Sequence, residues 1–288
     1  MQNCLQKKKR RICVKRIVSA STLLLLVFAA VCIVILRQNN RHASIGNVRV
    51  HENPEQVGLP PENKSQSAFA NAEMNNFMQN NAKINFFDGK TVKSTARCDK
   101  VRVLQSDNSV AVMPLEEYVK GCVFGEMPLS FEAQALMAQS VAVRTFTVRQ
   151  VLGTSKHKNA DVCTNPACCQ NYVLPQSKNI SEENLAKLCD AVNATKGIII
   201  VYDGEPIEAV YHASSGRETL DSEDVWGGKL EYLRSVKSPD GETEVAADGM
   251  GHRVGMSQHG ANILAEDGFG YADILKYYYS GVSLSFLV

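Results

Sequence analysis

The stretch Val110-Ala-Val-Met-Pro-Leu-Glu-Glu-Tyr-Val-Lys-Gly-Cys122 contains the switch on which the fold turns. Its first residues complete an alternating pattern that begins at Val101-Arg-Val-Leu-Gln and reverses at Ser106-Asp-Asn, which reads as a β-hairpin. Pro114 then suits the first turn of a helix, where its missing N–H is no loss. Leu115, Tyr118, Val119 and Cys122 recur on one helical face. A side-chain period of about two thus gives way to one of about 3.6 within a single short segment. Pro128 ends the helix and pushes Met127 towards extended geometry.

Downstream, the spacing of Ala135, Leu136, Ala138, Val141, Ala142 and Thr145 predicts a second helix over about 131–149, with small residues that allow close approach to the first. Residues 153–176 read as irregular. Ser181-Glu-Glu supplies an N-cap and first-turn acids for a third helix, and Gly197 closes it. Ile198-Ile-Ile-Val-Tyr, the Asp203-Gly204 turn and Pro206–His212 predict a second hairpin. A last helix is expected over about 271–279. Helices and hairpins without a βαβ rhythm point to the α+β class, and no internal repeat is present.

Upstream the chain changes character. Of 31 basic residues, seven (Lys7, Lys8, Lys9, Arg10, Arg11, Lys15 and Arg16) crowd residues 1–16 with no acid among them. The rest of the chain holds 24 basic residues against 30 acidic ones, so the formal charge of +1 hides an acidic body that is a poor nucleic-acid binder. Residues 17–36 carry no charge, and at about 1.5 Å per residue they match a bilayer core of about 30 Å. The basic tail (1–16) then stays in the cytoplasm, and this single-pass helix places the remainder outside it, at the cell membrane. A cleaved signal peptide is the competing reading, but the apolar run is long for one and no small-x-small site follows it. Residues 37–85, rich in Asn, Gln, Ser and Glu, read as a flexible linker to a domain at 86–288. The 44% hydrophobic content, 19 Gly and 9 Pro exclude wholesale disorder and collagen-like character.

Four places carry candidate chemistry. Glu126, in Gly125-Glu-Met-Pro128, lies where a helix should end among Val123, Phe124, Met127 and Leu129. The helix C-terminal dipole and desolvation both disfavour its charge, as a general acid requires; the competing reading is a solvated or capping carboxylate. His157, Cys163, Cys168 and Cys169 offer four soft ligands, enough for a closed zinc site that pins a loop. A Cys163–Cys169 disulfide or inert thiols are the alternatives, since the spacing matches no standard zinc pattern. Tyr211-His-Ala-Ser-Ser-Gly216 exposes hydroxyls and an imidazole at a strand end, where an ordinary capped turn is the simpler reading. His212 and Ser214 share a face there but lie too far apart for a hydrolase dyad. Gly251-His-Arg-Val-Gly-Met-Ser-Gln-His-Gly-Ala261 combines glycines and polar groups ahead of a helix; it can line a sugar site or simply start that helix.

Together with Met113-Pro-Leu-Glu-Glu-Tyr-Val-Lys-Gly, Ala138-Gln-Ser-Val-Ala-Val-Arg144-Thr, Asp161-Val-Cys-Thr and Cys169-Gln, these motifs resemble the stage II sporulation protein D family and the wider sporulation D/LytB domain, in order from about Val101 to Tyr279. The resemblance implies a lytic transglycosylase with a glycan-binding groove. Such an enzyme cuts the bond between N-acetylmuramic acid and N-acetylglucosamine and leaves a 1,6-anhydro end during engulfment of the forespore. It implies Glu126 as the catalytic acid and Arg144, Tyr211, His212, Ser214, His252 and Gln258 as substrate-binding residues. It implies one structural zinc on His157, Cys163, Cys168 and Cys169, not required for the chemistry, with Cys168 where a His is more familiar. Peptidoglycan strands are the implied substrate. An amidase (stage II sporulation protein P) and the membrane protein stage II sporulation protein M are the implied partners. The alternative within the family is a non-catalytic wall-binding module that stimulates an amidase. Two departures stand out: a short path from Trp226 to Gly251, and Arg253 and His259 where Gly and an aromatic are more usual. Both bear on substrate length and binding more than on the reaction.

Overall fold

The computed structural model describes residues 87–92, 98–153, 155–242 and 249–287. The expected basic tail (1–16), membrane helix (17–36) and linker (37–85) lie outside the described residues. Among the described residues no helix is long and apolar enough to cross a membrane.

The domain mixes helices with short sheets. In chain order its elements are β1 (Phe87–Val92), β2 (Lys100–Leu104), β3 (Val110–Pro114), α1 (Leu115–Glu126), α2 (Ala133–Leu152), β4 (Val162–Cys163), α3 (Glu182–Ala194), β5 (Ile198–Tyr202), β6 (Glu205–Pro206), β7 (Tyr211–His212), α4 (Ser222–Trp226), β8 (Met256–Ser257), α5 (Gln258–Glu266), α6 (Tyr271–Tyr278) and β9 (Ser283–Leu287). The first hairpin forms as expected, with Val101 opposite Met113 and Val103 opposite Ala111, and helix α1 follows without a break.

Helix α2 is the centre of the domain and packs against α1, α3, α5, α6 and β5. Every residue from Ala138 to Val148 is buried, so this helix has no polar face. Its hydroxyls are satisfied internally: Ser140, Thr145 and Thr147 donate to the carbonyls of Leu136, Val141 and Val143, one turn back. Ser181 caps α3 by accepting from the Asn184 N–H.

The second hairpin is shorter than its sequence suggests. Asp203 and Gly204 make the turn at φ 50° and 83°, and β5 pairs with β6. The chain then leaves the sheet, and Tyr211–His212 pairs in parallel with Met256–Ser257 instead. Two further parallel pairings, β1 with β9 and β2 with β4, also join segments far apart in sequence. Strands β4, β7 and β8 are two residues long, too short to leave an alternating pattern. The β4 pairing is fixed by Asp161, whose carboxylate accepts from the Arg102 backbone N–H (2.8 Å) and from its guanidinium (2.6 Å).

Candidate active site

Helix α1 presents a glycine face. An added Cβ at Gly125 would lie 2.3 Å from the Asn171 carbonyl oxygen, and one at Gly121 would lie 2.2 Å from the Tyr172 ring. These two glycines, one turn apart, let the segment that follows the cysteine cluster lie directly on the helix. The Val173 N–H donates to the Gly121 carbonyl, and the Asn171 side chain donates to the Gly125 carbonyl at 2.6 Å. The Asn171 backbone N–H thereby reaches Glu126 Oε1 at 2.7 Å.

Glu126 is the last residue of α1, as its sequence context predicts. Its Oε1 also accepts from the Tyr211 hydroxyl at 3.3 Å. Burial raises its pKa above the ordinary carboxylate value, while the Asn171 N–H and the Tyr211 hydroxyl pull it back. It lines a small pocket of about 160 Å³ with Phe146, Gln170, Tyr211 and His252. Among the described residues lining that pocket it is the only carboxylate.

Tyr211 is placed by a chain of hydrogen bonds. Gln170 Nε2 donates to the Tyr211 oxygen at 3.1 Å, and Gln170 Oε1 lies 3.1 Å from the Thr147 hydroxyl, whose one hydrogen it shares with the nearer Val143 carbonyl. With that oxygen receiving a donor, the Tyr211 hydroxyl hydrogen is directed at Glu126. Burial beside Glu126 raises the Tyr211 pKa, so the phenol remains a donor.

His252 and His212 sit side by side, ring centroids 5.6 Å apart. His252 Nδ1 accepts the Val254 N–H, and burial lowers its pKa. His212 Nδ1 faces the Val254 carbonyl at 3.1 Å, which places the proton on Nδ1; Nε2 then accepts from Ser215 Oγ at 2.7 Å. Burial, then the neighbouring His252, push His212 down to about 4. The hydroxyl beside His212 is therefore that of Ser215 and not that of Ser214. The strand ends at His212, so alternation along it does not extend to the serines.

Ser214 has another role. Its hydroxyl, the Ser215 N–H and the Ser257 hydroxyl all donate to Asp240 Oδ2, at 2.7, 2.8 and 2.8 Å. Asp240 is fully buried and ties the Tyr-His-Ala-Ser-Ser-Gly and Gly-Met-Ser-Gln-His-Gly motifs together. No periodicity or spacing marks it in the sequence, where it lies in an unremarkable Pro-Asp-Gly turn.

Of the six expected groove residues only Tyr211 and His252 line the pocket; His212, Ser214, Arg144 and Gln258 are buried outside its lining. Arg144 is fully buried and grips Glu116 with two nitrogens at 2.9 and 2.7 Å, with further bonds to the carbonyls of Ile198 and Val192. Glu116 is in the first turn of α1, about 15 Å along the helix from Glu126. Arg144 therefore ties α1, α2, α3 and β5 together and is not among the residues that line the pocket. Gln258 is buried at the first turn of α5, also outside the pocket lining. His259 packs edge-on against Phe131 and is not one of the four clustered metal-ligand residues.

The ligand atoms of His157, Cys163, Cys168 and Cys169 lie within 4.8 Å of one another. His157 Nε2 is 3.3 Å from Cys169 Sγ and 3.7 Å from Cys168 Sγ, and the latter two sulfurs are 3.9 Å apart. Tetrahedral zinc with bonds of about 2.3 Å to sulfur and about 2.0 Å to nitrogen needs edges of about 3.8 and about 3.5 Å. The set fits a soft divalent cation with every position filled by protein. None of the described cysteines is in a disulfide.

A mixed α and β domain, a desolvated Glu at a helix end and an adjacent His/Cys cluster define the class. Residues 105–202 match the family profile described as Stage II sporulation protein. Stage II sporulation protein D of Bacillus subtilis strain 168 is 30% identical, over 62% of this chain and 77% of its own length. The Bacillus amyloliquefaciens protein of the same name is 29% identical, over 62% of this chain and 76% of its own. The amidase enhancer of B. subtilis is 34% identical over 41% of this chain but only 15% of its own length. The chain belongs to the stage II sporulation protein D family, a family of sporulation proteins.

Proposed function

We propose that the chain is a lytic transglycosylase of peptidoglycan, held at the outer face of the cytoplasmic membrane by residues 17–36, with Glu126 as its single acid–base group. The observation that supports this most strongly is Glu126 itself: a carboxyl with a raised pKa, oriented by two donors, at the wall of a pocket with no second carboxylate among its described lining residues. A glycosidase needs a pair of carboxylates to handle an attacking water or a covalent intermediate. A transglycosylase does not. Glu126 protonates the oxygen between N-acetylmuramic acid and N-acetylglucosamine, then as carboxylate accepts the proton of the sugar's own C6 hydroxyl as it attacks C1. The bond to the leaving oxygen breaks, the bond from O6 to C1 forms, and no water enters. The Tyr211 hydroxyl stabilises the carboxylate phase of that cycle.

Zinc is the cation we assign to His157, Cys163, Cys168 and Cys169. Bound there, it would pin the loop that ends in Gln170 and Asn171, and no part of the reaction passes through it. The likeness to an amidase enhancer supports a working partnership with a peptidoglycan amidase, and stage II sporulation proteins P and M are the partners proposed.

The test is digestion of peptide-free glycan strands by the parent and by Glu126→Ala, with products read by mass spectrometry. Anhydro-muramoyl ends from the parent alone are expected. Binding without cleavage by either protein, with stimulation of an added amidase, overturns the catalytic reading in favour of an enhancer. Metal analysis of the purified protein is expected to give a single zinc, whose removal lowers the melting temperature.

A further inference from the structure

The pocket wall continues outward as a pile of rings. His212 is buried, His252 packs on it, and Trp226 packs on His252 with centroids 5.1 Å apart and planes at 57°. Trp226 nevertheless leaves 49% of its surface exposed. It is the only tryptophan in the 288 residues. Met250, two residues before His252, is also exposed. A large aromatic surface left in water beside a pocket that holds a carboxyl marks a contact site more often than a packing accident.

The indole is firmly mounted. Helix α4 ends at Trp226, and Gly227 turns the chain away in the left-handed region at φ 74°. Arg234 clamps the start of the same helix, donating to Glu223 Oε1 at 2.7 Å and to Ser222 Oγ at 3.0 Å. The Leu230 N–H donates to that Ser222 hydroxyl at 2.8 Å, which closes the loop after the helix. A rigid mount is what a binding platform needs, because little conformational freedom is left to lose when a ligand settles.

We propose that Trp226 is a stacking platform for an N-acetylhexosamine ring of the glycan strand, adjoining the pocket of Glu126. The proposal rests on the glycan reading above and adds a subsite to it. The face of an aromatic ring is electron-rich, and the C–H bonds on the flat face of a β-linked pyranose are weakly positive and apolar. His252 connects the two places, since it lines the pocket on one side and supports the indole on the other.

A lone tryptophan makes the subsite directly readable. The full chain carrying Glu126→Gln, which removes the acid while keeping an acceptor oxygen, is titrated with chitohexaose and with peptide-free glycan strands. Tryptophan emission and calorimetry are recorded on the same samples. The expected result is a saturable blue shift and protection from acrylamide quenching, with the midpoint found by calorimetry. Trp226→Ala is expected to weaken calorimetric binding by about tenfold, the scale of a lost aromatic anchor, and Trp226→Phe to retain most of it. Calorimetric binding with unchanged emission, or Trp226→Ala binding like the parent, overturns the platform and leaves the glycan reading standing. No binding by calorimetry at all overturns both.

Discussion

Two carboxylates mark the two halves of the site, and their surroundings differ. Asp240 is fully buried, and a single oxygen collects three donors from Ser214, Ser215 and Ser257. Glu126 is only partly buried and has two donors on one oxygen, one of them at 3.3 Å. The first arrangement spends a carboxyl on holding loops together. The second leaves a carboxyl desolvated, short of partners and open to a pocket, which is how a proton is kept ready for transfer. The buried carboxyl with many donors is thus a structural tie, and the proposed chemistry uses the one with few.

The comparison breaks most sharply if Glu126 proves replaceable. Glu126→Gln is expected to lower the rate of glycan cleavage by about a thousandfold, within the range usual for a lost general acid. The same variant should gain stability. Because the folded pKa of Glu126 is raised, the folded state is penalised as pH rises through that pKa, and the penalty is absent below the ordinary carboxylate range. Melting temperatures should favour Glu126→Gln by about 2 °C at neutral pH and converge with the parent in acid.

Asp240→Ala should do the reverse. Three buried donors lose their acceptor, at a cost of about 3 kcal/mol or more, or a fall of about 10 °C in melting temperature. An unchanged melt would mean that the two serine-bearing motifs are held by something else.

How much of this was legible in the sequence follows the range of the interactions. The first hairpin, α1, α2, the Ser181 cap and the Asp203-Gly204 turn depend on neighbours within a few residues, and each is found close to its expected place. Helix α2 runs to Leu152 rather than 149, because no breaker precedes Gly153. The pairing of Tyr211–His212 with Met256–Ser257 joins strands about 45 residues apart by two residues each, which no periodic pattern can announce. The candidate site divides in the same way. Glu126 and the His/Cys cluster show themselves by residue type and local context. Asn171 acts through a backbone N–H and Asp240 through contacts distant in sequence, so neither shows itself. Arg144 is a residue type suited to a groove, and only the structure shows its partner to be Glu116.

Tyr211→Phe tests the smaller number of donors around Glu126. The hydroxyl lowers the Glu126 pKa by favouring its charged form, so its removal should move that pKa further up. The proposed mechanism starts from protonated Glu126, so the alkaline limb of the pH–rate profile should shift to higher pH. The maximal rate should fall by about tenfold, because the carboxylate phase loses its support. The other groups around the carboxyl are Cys122 one turn earlier on α1, Cys169 and His252, and all remain in the variant. A limb that stays put or moves to lower pH would show that Tyr211 does not hydrogen-bond Glu126 during turnover.

Gln170→Leu is the mildest of these changes and tests how Tyr211 is aimed. Leucine keeps the bulk between Thr147 and Tyr211 but donates nothing, so the Tyr211 oxygen loses the donor that directs its hydrogen to Glu126. Thr147 keeps its bond to the Val143 carbonyl, so the helix has no new unsatisfied hydroxyl. A two- to fivefold loss in kcat with KM unchanged is expected, about 0.4–1 kcal/mol of transition-state stabilisation. The alkaline limb should move in the same direction as in Tyr211→Phe, but by less. Gln170→Glu is the harsher companion, since a carboxylate facing the phenol oxygen draws its hydrogen away from Glu126, and the rate loss and the shift of the limb should run in the same direction and be larger. A Gln170→Leu protein with the parent's rate and pH profile would show that Tyr211 is aimed by its packing alone. The two carboxylates would then differ in exposure and not in how their donors are held.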